Sequence, residues 1–248
     1  MDQKRPDRNL NVHLNGGLSW GRPGYESEFW HMEGDAVRMS VPVNGATTSG
    51  SKNPRMELSE NPNRWSMVEG DHRMKVTVTI QKVIPNVNFD VGQILRTNKI
   101  RMTKGTKIGK KCPLHLQVEY QANSNEIHLK HRLADCRFKR TKIRTKYPVG
   151  EEFSYEVAVV DGIMTYTTSK GDKAEMDYNF LSDEYDGRGE SGYFKAGVYT
   201  QRSCSKAYFK DISKCTYGEG PDDMTVADFK NISLSHENTE DEEDDDNE

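Results

Sequence analysis

Tyr193-Phe-Lys-Ala-Gly-Val-Tyr199-Thr-Gln201 alternates as a strand alternates. Tyr193, Lys195, Gly197, Tyr199 and Gln201 fall on one face, and Phe194, Ala196, Val198 and Thr200 on the other, because successive side chains of a strand point to opposite sides. The second face suits a core. The first sets two phenols, an ammonium and an amide around a glycine, which lets a neighbouring chain approach closely. A cation beside a tyrosine can lower the phenol's pKa and hold an anionic ligand. An ordinary half-buried strand with a polar outer face shows the same alternation, so the stretch speaks for the fold class before it speaks for a function.

The same alternation recurs along the chain, in residues 37–43, 74–80, 114–120, 126–131, 153–159 and 163–168, bounded by Gly, Pro, Asn or Asp. No segment of a dozen residues shows helical periodicity. Many short strands with one dry face predict an all-β antiparallel sandwich, and 248 residues are ordinary for one such domain. No apolar run approaches the length of a membrane span. Met1-Asp-Gln-Lys-Arg-Pro is charged with no apolar stretch behind it, so either export does not use a signal peptide or a leader lies outside this chain.

The net charge of −4 conceals an asymmetry. Residues 237–248 hold nine acids and no base, which leaves residues 1–236 with a surplus of five bases. Residues 96–146 contain 15 Lys and Arg against three acids, Glu119, Glu126 and Asp135. The low-complexity tail is expected to be disordered. A basic body attracts a polyanion over long range, although residues 137–146 read equally well as a solvated surface. A tail resting on that basic face would be a weak competitor for such a partner.

Cys112 and Cys136 would meet across a hairpin turning at residues 121–125, and Cys204 and Cys215 bracket a short loop. At least one disulfide, and so an oxidising compartment, is expected; four buried thiols are the alternative. The Asn231-Ile-Ser233 sequon lies inside an expected strand and counts for little. No metal site emerges, since the cysteines do not pair with histidines at zinc intervals. Gly187, Gly189 and Gly192 lack a strand-to-helix frame for phosphate, and basic residues interleave with too few aromatics to favour nucleic acid.

Further motifs accompany the opening stretch in a fixed order. They are residues 42–51, Pro54-Arg-Met-Glu-Leu58, Val91-Gly-Gln-Ile94, residues 147–155 and residues 226–236. Together they resemble the alginate lyases of polysaccharide lyase family 7. In that family the opening stretch is a signature strand, Arg-Ser/Thr-Glu-Leu-Arg is the first signature and Gln-Ile/Val-His the second. The resemblance implies a β-jelly-roll sandwich of two antiparallel sheets with an open concave groove, suited to a polymer. It also implies an organisation of N-terminal extension (residues 1–28), lyase domain (29–236) and acidic tail (237–248).

The implied chemistry is β-elimination on a polyuronate. A base removes the C5 proton, charge spreads into the C6 carboxylate, and the C4–O bond breaks as an acid protonates the leaving oxygen. The carboxylate must be neutralised and the enolate-like transition state stabilised. Arg55 offers a planar fork of donors and Gln93 an amide for that carboxylate. By the resemblance Tyr199 is the catalytic tyrosine, with Lys195 and Arg55 placed to lower its pKa. Tyr193 and Gln201 would line neighbouring sugar subsites, and Glu57 would hold the Arg55 guanidinium. No cofactor is required. The expected partner is an extracellular or cell-wall polyuronate, met by a monomer without membrane contact.

Two departures stand out. Leu95 occupies the position of the second signature's histidine, and Ser59 that of the first signature's closing arginine. Leucine cannot take a proton. Either the chain is a carbohydrate-binding relative, or another histidine such as His72 or His115 reaches the site, or the reaction needs no histidine. Stereochemistry favours the last. In guluronate H5 and O4 leave from opposite ring faces, whereas in mannuronate and glucuronate they share a face, so one tyrosine can serve both. A jelly-roll glycoside hydrolase would need two facing carboxylates, and Glu57 has no evident partner in the motifs.

Overall fold

The computed structural model describes residues 14–15, 17–18, 26–45, 47, 53–60, 65–96, 114–132, 137–179, 191–204, 215–217 and 223–237. Every regular element among them is a strand. In chain order these are β1 (Leu14–Asn15), β2 (Gly17–Leu18), β3 (Trp30–Glu33), β4 (Ala36–Pro42), β5 (Arg55–Ser59), β6 (Trp65–Ser66), β7 (Asp71–Lys82) and β8 (Phe89–Arg96). There follow β9 (Leu114–Gln121), β10 (Glu126–Arg132), β11 (Phe138–Ile143), β12 (Glu152–Val160), β13 (Ile163–Thr168), β14 (Lys173–Asn179), β15 (Ser191–Thr200) and β16 (Met224–Glu237).

Apart from the small β1–β2 pair, they form two seven-stranded antiparallel sheets. The back sheet runs β14-β13-β12-β7-β16-β4-β3. The front sheet runs β11-β10-β9-β8-β15-β5, with β6 also paired to β15. Between them lies a core to which the back sheet gives Val76, Val78 and Phe229 and the front sheet Ile94, Val118 and Phe194, all fully buried. The predicted β-jelly-roll sandwich is the observed fold. On β15 the side chains Phe194, Ala196, Val198 and Thr200 are buried, while Tyr193, Lys195 and Tyr199 are half-buried, as their alternation predicts.

The basic run at residues 137–146 contains a strand that periodicity did not announce. Phe138, Lys139 and Arg140 of β11 are all exposed, so no dry face marks it; pairing with β10 at the edge of the front sheet makes it a strand. Charge on both faces suits an edge, because it discourages pairing with other chains. Cys204 and Cys215 form a disulfide. Cys112, Cys136 and the acidic tail past residue 237 lie outside the described residues. Asn231 is exposed at a register shift in β16, with φ of 50°.

Candidate active site

The outward face of the front sheet is polar, and β5, β15 and β8 bring its reactive groups together. Tyr199 stands opposite Arg55, Gly197 opposite Glu57 and Lys195 opposite Ser59. On the other flank Lys195 faces Gln93 and Tyr193 faces Leu95. Gly197 has φ of 148°, and a Cβ there would lie 2.3 Å from the Met56 carbonyl oxygen and 2.6 Å from the Glu57 Cα. Only glycine permits this approach of β5 to β15. The Arg55 guanidinium lies 5.6 Å from the centre of the Tyr199 ring. One Glu57 oxygen takes both Arg55 Nε at 3.5 Å and Lys195 Nζ at 3.3 Å. Of these side chains Arg55 is 35% exposed and Glu57 5%, so the guanidinium reaches the surface with a carboxylate beneath it. Burial, and then the charge of Glu57, hold the Tyr193 phenol above its ordinary range against the pull of Arg55, so it remains a proton donor.

A second group lies deeper, and the motifs did not point to it. Along β8, Gly92 faces Val118 and Asp90 faces Glu119, so two steps on β8 match one on β9. Toward β15, Ala196 faces Gly92 and Tyr199 faces Asp90, so β15 takes three steps to two on β8. These bulges turn Asp90 onto the face that carries Gln93, although three residues separate them. The Tyr155 hydroxyl crosses from the back sheet and donates to the Val91 carbonyl at 2.7 Å. Gly92 makes room for it, since a Cβ there would lie 2.4 Å from that hydroxyl. Gln93 Nε2 then donates to Asp90 Oδ2 at 3.0 Å; Gln201 Nε2 donates to the same oxygen at 2.9 Å and to the Tyr199 carbonyl at 3.3 Å, and Gln117 Nε2 donates to that oxygen as well.

Farther along the face Lys130 pairs with Glu119, which also accepts from Gln121 at 2.6 Å. His128 faces Glu119 on one side and Lys142 on the other, and Lys130 faces Gln117 and Arg140. The register thus lays two polar rows across the strands. One reads Lys142, His128, Glu119, Asp90, Tyr199, Arg55; the other reads Arg140, Lys130, Gln117, Gln93, Lys195, Ser59. Among the described residues four carboxyls, Glu57, Glu119, Asp90 and Glu126, share this face, which the motifs alone did not suggest; Glu126 pairs with Lys146 and His128. Each is tied down by cations or carboxamides, so no pair is presented for glycoside hydrolysis.

The model of the alginate lyase family matches residues 7–236 of the chain. The chain belongs to this family. By family it is a polysaccharide lyase, and the match begins within the stretch expected to be an N-terminal extension. Its fold is shared with alginate lyase A1-II′, a member of polysaccharide lyase family 7, at 22% identity over 87% of this chain and 86% of that one, with a TM-score of 0.67. Alginate lyase PA1167 from Pseudomonas aeruginosa is 23% identical over 86% of this chain and 88% of that one, TM-score 0.65. The alginate lyase from Klebsiella pneumoniae is 16% identical over 87% of each, TM-score 0.62. No curated protein matches the chain.

In this alginate lyase family member Leu95, which by the resemblance stands in place of the signature histidine, is half-buried between Tyr193 and Leu114 on the flanking strands. His72 does not replace it. That residue lies on β7 of the back sheet, fully buried, stacked 4.7 Å from Trp65 and hydrogen-bonded to the Glu69 carbonyl at 2.8 Å and to His236 at 3.2 Å. The side chain of His115 lies outside the described residues. His128 is on the polar face, but β8 and β9 separate its strand from β15 and Tyr199.

Proposed function

We propose that the chain cleaves a polyuronate by β-elimination, endolytically and as a monomer, with Tyr199 as both base and acid. As phenolate Tyr199 takes H5. The electrons of the C5–H bond form the C4–C5 double bond, the C4–O bond breaks, and Tyr199 returns the proton to O4. Arg55 and Gln93 hold the C6 carboxylate and stabilise the charge that grows there in the transition state. Lys195 adds positive charge, Tyr193 and Gln201 contact adjoining sugars, and Glu57 fixes Arg55 from below.

The observation that carries this reading is the pairing of Tyr199 with Arg55 across β15 and β5, with Gln93 one row away and Leu95 where a histidine would stand. With no second base beside Tyr199 among the described residues, elimination from one ring face is favoured, so mannuronate or glucuronate linkages should be cleaved and polyguluronate poorly. The test is ultraviolet absorbance of the new double bond on polymannuronate, polyguluronate and polyglucuronate, for wild type beside Tyr199→Phe. A rise on one of the first or last that vanishes in the variant is expected. Fastest turnover of polyguluronate would refute the one-face mechanism. Leu95 also favours a second reading, a polyuronate-binding protein without catalysis; binding with no absorbance rise on any polymer would select it.

A further inference from the structure

Asp90 has no part in the elimination described above, yet the polar face is built around it. Its side chain is 1% exposed and lies in the row between Glu119 and Tyr199. Carboxamides from three places converge on Oδ2: Gln93 of its own strand, Gln117 of β9 and Gln201 just past β15. Oδ1 is buried and meets no hydrogen-bond partner. Of the charged groups that act on it, Glu119 and Glu57 oppose a further negative charge, and Lys130 is already paired with Glu119.

We infer that Asp90 is a positioning residue: it locks the carboxamide of Gln93 in the orientation that receives a substrate carboxylate, without touching substrate itself. The terminal torsion of a glutamine is broad, so an unanchored carboxamide presents its oxygen to an anion as readily as its NH2. Anchoring one N–H on Asp90 fixes which end of Gln93 faces outward and leaves its second N–H for the substrate, whereas Gln201 Nε2 also donates to the Tyr199 carbonyl at 3.3 Å. Burial, reinforced by Glu119, raises the Asp90 carboxyl well above the usual range and favours its neutral form. A neutral acid holds the amides without setting negative charge beneath a polyanion. Its own proton finds an acceptor if Gln117, which the substrate does not need, turns its oxygen inward.

The inference rests on the lyase reading of this site, and one experiment separates the two. Cleavage of polymannuronate and polyglucuronate is followed for wild type, Asp90→Val, Asp90→Asn, Gln93→Ala and the Asp90→Val/Gln93→Ala pair, with a melting curve for each and calorimetric binding of polymannuronate alongside. Asp90→Val is expected to lower kcat on the order of a hundredfold with a smaller change in KM, the scale of a misplaced catalytic group. Asp90→Asn, of the same shape, should recover most of that loss, and Asp90→Val should cost nothing more once Gln93 is alanine. A folded Asp90→Val with wild-type kcat, or additive losses in the pair, overturns the inference. Where Asp90→Val does not fold, the ratio of Asp90→Asn to wild-type kcat decides. It should stay within a few-fold of one, because asparagine keeps the shape and the acceptor oxygen that hold Gln93; a ratio as low as that of Gln93→Ala to wild type overturns the inference. If the wild type makes no double bond, the lyase reading fails and calorimetry decides: Asp90→Val should lose affinity that Asp90→Asn keeps, and equal affinity in both overturns it.

Discussion

A methyl group on Gly197 would collide with the Met56 carbonyl and the Glu57 Cα, on a backbone with φ of 148°. Gly197→Ala is therefore expected to cost about 1–3 kcal/mol, the usual scale for a residue forced into such a region. Urea unfolding measures it, and kcat should fall too, because Arg55 and Tyr199 meet only where β5 approaches β15. Glu57 is the shared anion beneath that pair. Glu57→Gln leaves Lys195, 14% exposed, without its carboxylate and should destabilise by about 3 kcal/mol, as when one partner of a buried ion pair is removed. Chemical denaturation would show no change if the pair were merely superficial. Tyr199, Lys195 and Tyr193 were legible in the sequence because one strand with an unbroken alternation carries them. Asp90 was not. Three residues from Gln93, it reads as facing the opposite way until the ladder is known to slip.

Among the elements, β8 is governed from the opposite sheet. Tyr155 on β12 reaches through the core to the Val91 carbonyl, and burial drives its phenol upward, so the hydroxyl stays a donor. Tyr155→Phe should cost about 1–3 kcal/mol for the orphaned carbonyl. If the hydroxyl also holds the slip in place, kcat will drop even where the variant is fully folded; an unchanged kcat in folded Tyr155→Phe would uncouple the two. The segment after β15 is pinned as well, by the Cys204–Cys215 disulfide and by the Cys204 amide donating to the Val43 carbonyl at 2.8 Å. A bridge closing a sequence separation of 11 is worth about 3 kcal/mol in the chain-entropy picture, so reduction should lower the melting temperature. The six strands expected from the alternation are all present, some lengthened at their ends, while β11 escaped notice because its bases cover both faces.

For the molecule as a whole, acid should be the vulnerable side. His72, His128 and His131 are each held below the ordinary histidine value of 6.5, with burial the first cause. A base depressed in the folded state binds more protons when unfolded, so its contribution is complete above its unfolded pKa and is lost as pH falls below it. Each such proton steepens the loss by about 1.4 kcal/mol per pH unit. Asp90, raised in the folded state, acts in the opposite sense as pH climbs past its unfolded value, one group against three. Unfolding free energy should therefore be lower near pH ~5 than near pH ~7; equal values would mean that the histidines find water or partners. The sandwich itself was plain in the sequence, since a period of two repeated many times admits few other architectures. A sheet built on that period is also a lattice with two phases, and the slip at Val91 is a phase boundary within it. Were β8 to run straight through it, the fold would suffer what a message suffers in a frameshift: Phe89 would be delivered to the polar face and Asp90 to the oil, with every letter of the text unchanged.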